Sequence, residues 1–195
     1  MRFWSTRFIL PAIAIAGVAL TAPTAKASLI FTATLNGASE VPANASTGTG
    51  TATLTLTGNI LEADVSFAGL IGGPATASHI HCCIAPGSNI GVALPFVGFP
   101  NASSGTYDHF FDLMSTGTYT STFLTASGGT AAGAETALIA GLDAGHAYVN
   151  IHDATFPGGE IRGFDKPVSV PEPASLALFG AALTGFALLR RRRRT

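Results

Sequence analysis

The stretch Ser78-His79-Ile80-His81-Cys82-Cys83 holds two of the five histidines in this chain of 195 residues, and both of its cysteines. Successive side chains of an extended strand alternate between its faces, so His79 and His81 project together and can share one metal ion. In that register Cys83 joins them, while Ile80 and Cys82 turn the other way. A second stretch, His146-Ala147-Tyr148-Val149-Asn150-Ile151-His152, has the same grammar. Ala147, Val149 and Ile151 are placed on a core, and His146, Tyr148, Asn150 and His152 face away from it. If the two strands are neighbours, His79, His81 and His152 converge on one patch, with His146, His109 or Cys83 as further candidate ligands. Imidazoles suit copper or zinc. Only the unprotonated ring is a ligand, so affinity is expected to fall as pH drops through about 6.5. The competing reading of the same residues is three exposed polar side chains on a sheet.

Cys82 and Cys83 admit three states: a vicinal disulfide, free or metal-bound thiols, or pairing between molecules. Adjacent residues of a regular strand point their Cβ atoms apart, so a Cys82–Cys83 bridge requires a local turn. Ala85-Pro86-Gly87 lies just downstream and can help to make one. Glu160 and Arg162, two apart on a late strand, share a face. They are read as hydrogen-bonding neighbouring backbone or each other rather than as an acid–base pair, because no motif positions a partner carboxylate.

The elements that must hold these residues are strands. Leu29, Phe31, Ala33 and Leu35 alternate with Ile30, Thr32 and Thr34, a period of two. The runs TATLTLT (51–57) and ILEADVSF (60–67) flank Gly58-Asn59, the signature of a two-residue hairpin. Further strands are expected at 77–82, 105–111, 118–124, 136–140, 147–151 and 160–164. The Thr/Ala/Gly-rich segments 43–50 and 125–133 read as loops, and no helical repeat is evident between the ends. The expectation is an all-β domain, an antiparallel β-sandwich or barrel.

Both ends read as targeting segments. Residues 1–27 carry Arg2 and Arg7, an apolar run from Phe8 to Leu20, and Ala25-Lys26-Ala27. This is a signal peptide pattern with cleavage expected after Ala27. At the other end Pro171-Glu172-Pro173 precedes an apolar segment, 174–189, expected to be a hydrophobic helix, and five arginines at 190–194. Basic residues stay on the cytoplasmic side, so the Arg block stops transfer and leaves the preceding domain outside. The organisation is therefore a signal peptide at 1–27, a β domain at 28–166 and a sorting segment at 167–195. Residues 28–169 hold two cations, Arg162 and Lys166, against ten acids, a net charge of −8, although the whole chain stands at −1. A surface of that sign repels phosphate backbones and excludes nucleic acid as a partner.

The C-terminal device resembles the PEP-CTERM sorting signal of Gram-negative bacteria. The resemblance implies an inner-membrane-anchored precursor, held by its C-terminal helix. An exosortase-type enzyme would cleave it and pass it to the cell surface or an exopolysaccharide matrix. FTATLNGASEVP (31–42), SHIH (78–81) and AYVNIHDATFPGGEIRGF (147–164) together resemble a CHRD domain, with Asp153 standing where Thr often follows the histidine. That resemblance implies an extracellular β-sandwich or barrel and supplies no catalytic reaction. The expected function is a non-enzymatic binding or structural module of the extracellular matrix, with polysaccharide or matrix proteins as partners. His79-x-His81 on a strand is also similar to the copper-binding strand of copper/zinc superoxide dismutases, which implies the alternative, a copper- or zinc-binding redox protein.

Overall fold

The computed structural model describes residues 28–168 and 179–183. The expected signal peptide, Pro171-Glu172-Pro173 and the Arg block lie outside the described residues. Of the expected C-terminal helix, 179–183 is described and is helical. Among the described residues no helix is long and apolar enough to cross a membrane.

The strands are β1 (Leu29–Asn36), β2 (Thr49–Thr57), β3 (Ile60–Ala68), β4 (Ala75–Cys82), β5 (Val92–Pro95), β6 (Gly105–Asp112), β7 (Ala147–Asp153), β8 (Ile161–Phe164) and β9 (Lys166–Val168). They form one curled antiparallel sheet in the order β5-β4-β7-β8-β1-β2-β3-β6, with β9 added beside β1. β2 and β3 pair from Thr57↔Ile60 outward. Gly58 takes φ 63° in that turn, a region where a Cβ is penalised. β9 reaches Val168, two residues beyond the expected end of the β domain.

The period of two sorts the faces. Phe31, Leu35, Leu54, Leu61, Val65, Ile80, Val149 and Ile151 are buried in one core. On the opposite face of the β1–β2–β3–β6 half, Thr32, Thr53, Asp64 and Asp108 lie in register across four strands. Ile80, Val149 and Ile151 are each 0 % exposed. Substitution of any one by Ala should cost about 1–4 kcal/mol, from lost burial plus the cavity left behind. Thermal melts of the full chain check this, and three unchanged melts would mean that the strand faces have been assigned backwards.

Two expected strands are helices. Residues 118–124 contain part of α1 (Ser121–Ala126), and 136–140 lie inside α2 (Ala131–Asp143). The expected loop at 125–133 holds the end of one and the start of the other. Thr120 and Thr130 cap them, accepting the N–H of Phe123 (3.3 Å) and of Gly133 (3.1 Å). α2 buries Ala134, Leu138, Gly141 and Leu142, a helical stripe whose periodicity is masked because alanines occupy both faces. With little apolar contrast around the helix, the short ALIA run imitates a strand.

Candidate metal centre

β4 and β7 are antiparallel neighbours, with Ala77 opposite His152, His79 opposite Asn150 and His81 opposite Tyr148. β8 continues two of these rows: Asn150 pairs with Arg162, and Tyr148 with Phe164. The face turned from the core thus carries the rows His79–Asn150–Arg162 and His81–Tyr148–Phe164, with His152 one step along. One ring nitrogen from each of His79, His81 and His152 lies within 4.8 Å of the others. Ring centroids are 5.7 Å apart for His79 and His81, 5.1 Å for His79 and His152, and 6.0 Å for His81 and His152.

The hydrogen bonds define which nitrogens are available. His81 Nδ1 lies 2.7 Å from the Ile90 carbonyl and His152 Nδ1 lies 3.1 Å from that of Pro157. A carbonyl only accepts, so each Nδ1 carries the proton and each Nε2 keeps its lone pair. Those Nε2 atoms and His79 Nδ1 are buried and have no partner among the described residues. An imidazole that donates one N–H to a carbonyl and leaves its other nitrogen bare has the arrangement of a metal ligand. Metal–nitrogen bonds of about 2.0–2.1 Å would require the rings to close inward around an ion.

Burial disfavours the charged form of all three rings. It pushes His79 down to about 4, with the neighbouring His152 and His81 adding to the effect. Burial also lowers His81, against the Ile90 hydrogen bond. It lowers His152, with partial opposition from the Pro157 bond and the charge of Asp153. Asp153 itself closes a turn, its Oδ1 accepting the N–H of Thr155 and of Phe156.

The surroundings depart from the expected open surface. Tyr148 and Asn150 do lie on the face turned from the core, but they are buried, because three loop segments fold over this half of the sheet. Ser39, Asn89, Ile90 and Pro157 each place an acceptor on Arg162 or on a histidine there. Tyr148 stacks on His81 at 4.7 Å with an interplanar angle of 4°, and the Arg162 guanidinium lies 4.8 Å from the Tyr148 ring centre. Arg162 donates to the Ser39 carbonyl and to Asn89 Oδ1 (2.7 Å), and its Nε stands 3.8 Å from Glu40 Oε2. Burial pushes the Glu40 carboxyl up to about 7, against the pull of Arg162 and a Val41 backbone bond. Glu160 ties two loops together, accepting from Ser46 Oγ and from the N–H groups of Ile71 and Gly72.

The other candidate ligands are elsewhere. β4 ends at Cys82, so strand alternation does not carry Cys83 to the histidine face. The two sulfurs are joined to each other and lie beneath α2, near the Ala137 carbonyl, where a Cβ on Gly141 would overlap both. His146 sits in the turn between α2 and β7, its N–H donated to Gly141. His109 meets the ring of Phe111 edge-on in β6, at the opposite end of the strand order from β4. A groove of about 630 Å³ lies outside the histidine group, among Thr34, Thr51, Ser39, Phe164 and Lys166.

Strand grammar places Tyr148 and Asn150 on this face; Glu40, on a loop, is the neighbour it does not single out. One sequence signal was available: Arg162 is the lone arginine among residues 28–169 of an acidic domain.

The family model for the CHRD domain matches residues 31–164, a span that contains all three histidines. The chain belongs to the CHRD domain family. A second model, the PEP-CTERM protein-sorting motif, matches residues 169–194. This CHRD protein therefore carries the signal of an exported protein, handled by an exosortase-type sorting enzyme and directed to the cell envelope or surface. No curated protein and no solved structure matches the chain.

Proposed function

We propose that this CHRD protein is an exported, non-enzymatic module of the extracellular matrix of a Gram-negative bacterium that binds one copper or zinc ion through His79, His81 and His152. The observation that carries the metal reading is the set of three bare, buried ring nitrogens within 4.8 Å of one another. Two of them are fixed in that state by carbonyl acceptors on the far side of the ring. Three exposed polar residues on a sheet would instead have each nitrogen in water. Matrix placement is supported by the sorting motif, and the acidic domain attracts cations.

The test is metal analysis of the full chain, purified in detergent after exposure to copper or zinc, beside a variant with all three histidines changed to Ala. One ion per chain, lost in the variant, is expected; equal metal in both would sink the reading. For the sorting part, intact mass of the surface-released protein should show a start at Ser28 and loss of the five arginines at 190–194. A released species that keeps them would refute the processing.

A further inference from the structure

The bridge between Cys82 and Cys83 joins neighbours in the chain, at a sequence separation of 1. A disulfide stabilises a fold mainly by constraining the unfolded chain, and does so more for longer closed loops. A bridge between adjacent residues therefore contributes little as a staple. Cys82 is 3 % exposed and belongs to β4, where it stands opposite Ala147. Cys83 is exposed and is the first residue beyond that strand. α2 packs directly on the pair. Cys82 Sγ and Cys83 Sγ lie 3.9 and 3.3 Å from the Ala137 carbonyl, and a Cβ on Gly141 would overlap both sulfurs.

The loop that leaves Cys83, residues 84–91, covers His81, Tyr148 and Arg162. Asn89 Oδ1 and the Ser88 carbonyl accept from Arg162 Nη1 (2.7 and 3.5 Å), and Asn89 Nδ2 donates to the Val41 carbonyl (2.7 Å). The Ile90 carbonyl faces His81 Nδ1 at 2.7 Å, and the Ile90 N–H donates to Tyr148 Oη (3.4 Å). At the root of the loop the Ile84 N–H donates to the His146 carbonyl (2.9 Å). Residues 85–89 are exposed, so polar bonds rather than apolar burial hold the middle of this cover. Segments with few buried apolar contacts open locally at low cost. Two thiols cannot approach as closely as two bonded sulfurs, so breaking the bridge forces the pair apart. Strand pairing holds Cys82, and α2 leaves no room at Gly141. Cys83 is the residue that can move, and the root of the loop moves with it.

We propose that Cys82–Cys83 is a thiol-exchange site for an external dithiol, and that its reduction releases loop 84–91 from the outer face of β4, β7 and β8. A thiolate of the dithiol attacks Cys83 Sγ, on the exposed residue, and forms a mixed disulfide. The S–S bond breaks, and Cys82 leaves as a thiolate that takes up a proton. The second thiol then attacks the dithiol's own sulfur in the mixed disulfide. Cys83 leaves and is protonated in turn, and the dithiol departs as a cyclic disulfide. Two electrons and two protons pass from the dithiol to the cysteines. Exposed disulfides are the labile ones, and export supplies the oxidising setting in which the bridge forms.

Dithiothreitol is the probe. The full chain, metal-free and in detergent without denaturant, is reduced, and its thiols are counted with an aromatic disulfide reagent. Hydrogen exchange is followed by mass spectrometry on oxidised and reduced samples. Two thiols per chain are expected. Exchange in peptides carrying the Ile84 and Ile90 amides should rise about tenfold by local opening, with β2 and β3 unchanged. Cys82→Ser combined with Cys83→Ser should show the fast exchange with or without dithiothreitol. Asn89→Ala removes bonds to Arg162 and Val41 and leaves the sulfurs alone. It should quicken the same peptides in the oxidised chain, with no thiol released. Thiols that appear only in denaturant overturn the exchange site. Reduction that leaves residues 84–91 protected, or that speeds exchange throughout the sheet, overturns the loop release.

Discussion

Calorimetric titration of the metal-free full chain with Cu(II) or Zn(II) should show one tight site, and His79→Ala and His152→Ala should each weaken it by more than about a hundredfold. Changing a group that merely orients a ligating imidazole already costs about 10–100-fold, and these residues would be ligands themselves. They lie far apart in the chain and meet only through the β4–β7 pairing, so equal sensitivity to both reports one shared ion. His109→Ala serves as the control, since His109 packs edge-on against Phe111 at the far end of the strand order. The pH dependence is a second readout. Alternation alone leaves these imidazoles exposed, with affinity failing below about pH 6.5. Burial lowers all three, His79 to about 4, so protons compete with the ion only in more acidic solution. Affinity should therefore begin to fall at a lower pH than it would for a site of exposed histidines. For the metal-free protein the sign is fixed in the same way. The unfolded chain takes up these protons at the ordinary histidine value and the folded chain resists, so stability falls as pH drops below about 6.5 towards 4.

Arg162→Ala should be the most damaging single change in the domain, costing about 3–5 kcal/mol in urea unfolding of the full chain. Arg162 is wholly buried. Its loss would strand the Ser39 carbonyl and Asn89 Oδ1, remove the stacking on Tyr148 and leave Glu40 without its cation. The Glu40 carboxyl, already at about 7, would then be neutral in the fold across a wider range. A group raised in the folded state stabilises the protein below its unfolded value and loses that contribution as pH rises through the folded one. The Arg162→Ala penalty should therefore be larger near pH 8 than near pH 5, and adding Glu40→Gln should recover part of it near pH 8. A penalty independent of pH and insensitive to Glu40→Gln would show that Arg162 acts only through packing.

Much of the architecture was legible locally. The period-two runs at β1, β2, β3 and β7, the Gly58-Asn59 hairpin and the core roles of Ile80, Val149 and Ile151 follow from alternation, because a strand half-buried in a sheet must segregate its apolar side chains. The two helices did not follow. Their identity rests on threonine caps and an alanine-rich stripe with little contrast between its faces, so periodicity carried almost no signal. The candidate site divides along the same line. Residue types and spacing alone determined that His79 and His81 share a face, that His152 stands on the matching face of a second strand, and that the domain carries a −8 charge. Tertiary structure decided that β4 and β7 are neighbours, that Cys83 leaves the strand for α2, and that loops bury the outer face at Tyr148, Asn150 and Arg162. The reason is physical: alternation reports which side of a strand a residue occupies, while strand order and loop cover come from contacts between segments more than a hundred residues apart, as between Ser39 and Arg162, which no local pattern encodes.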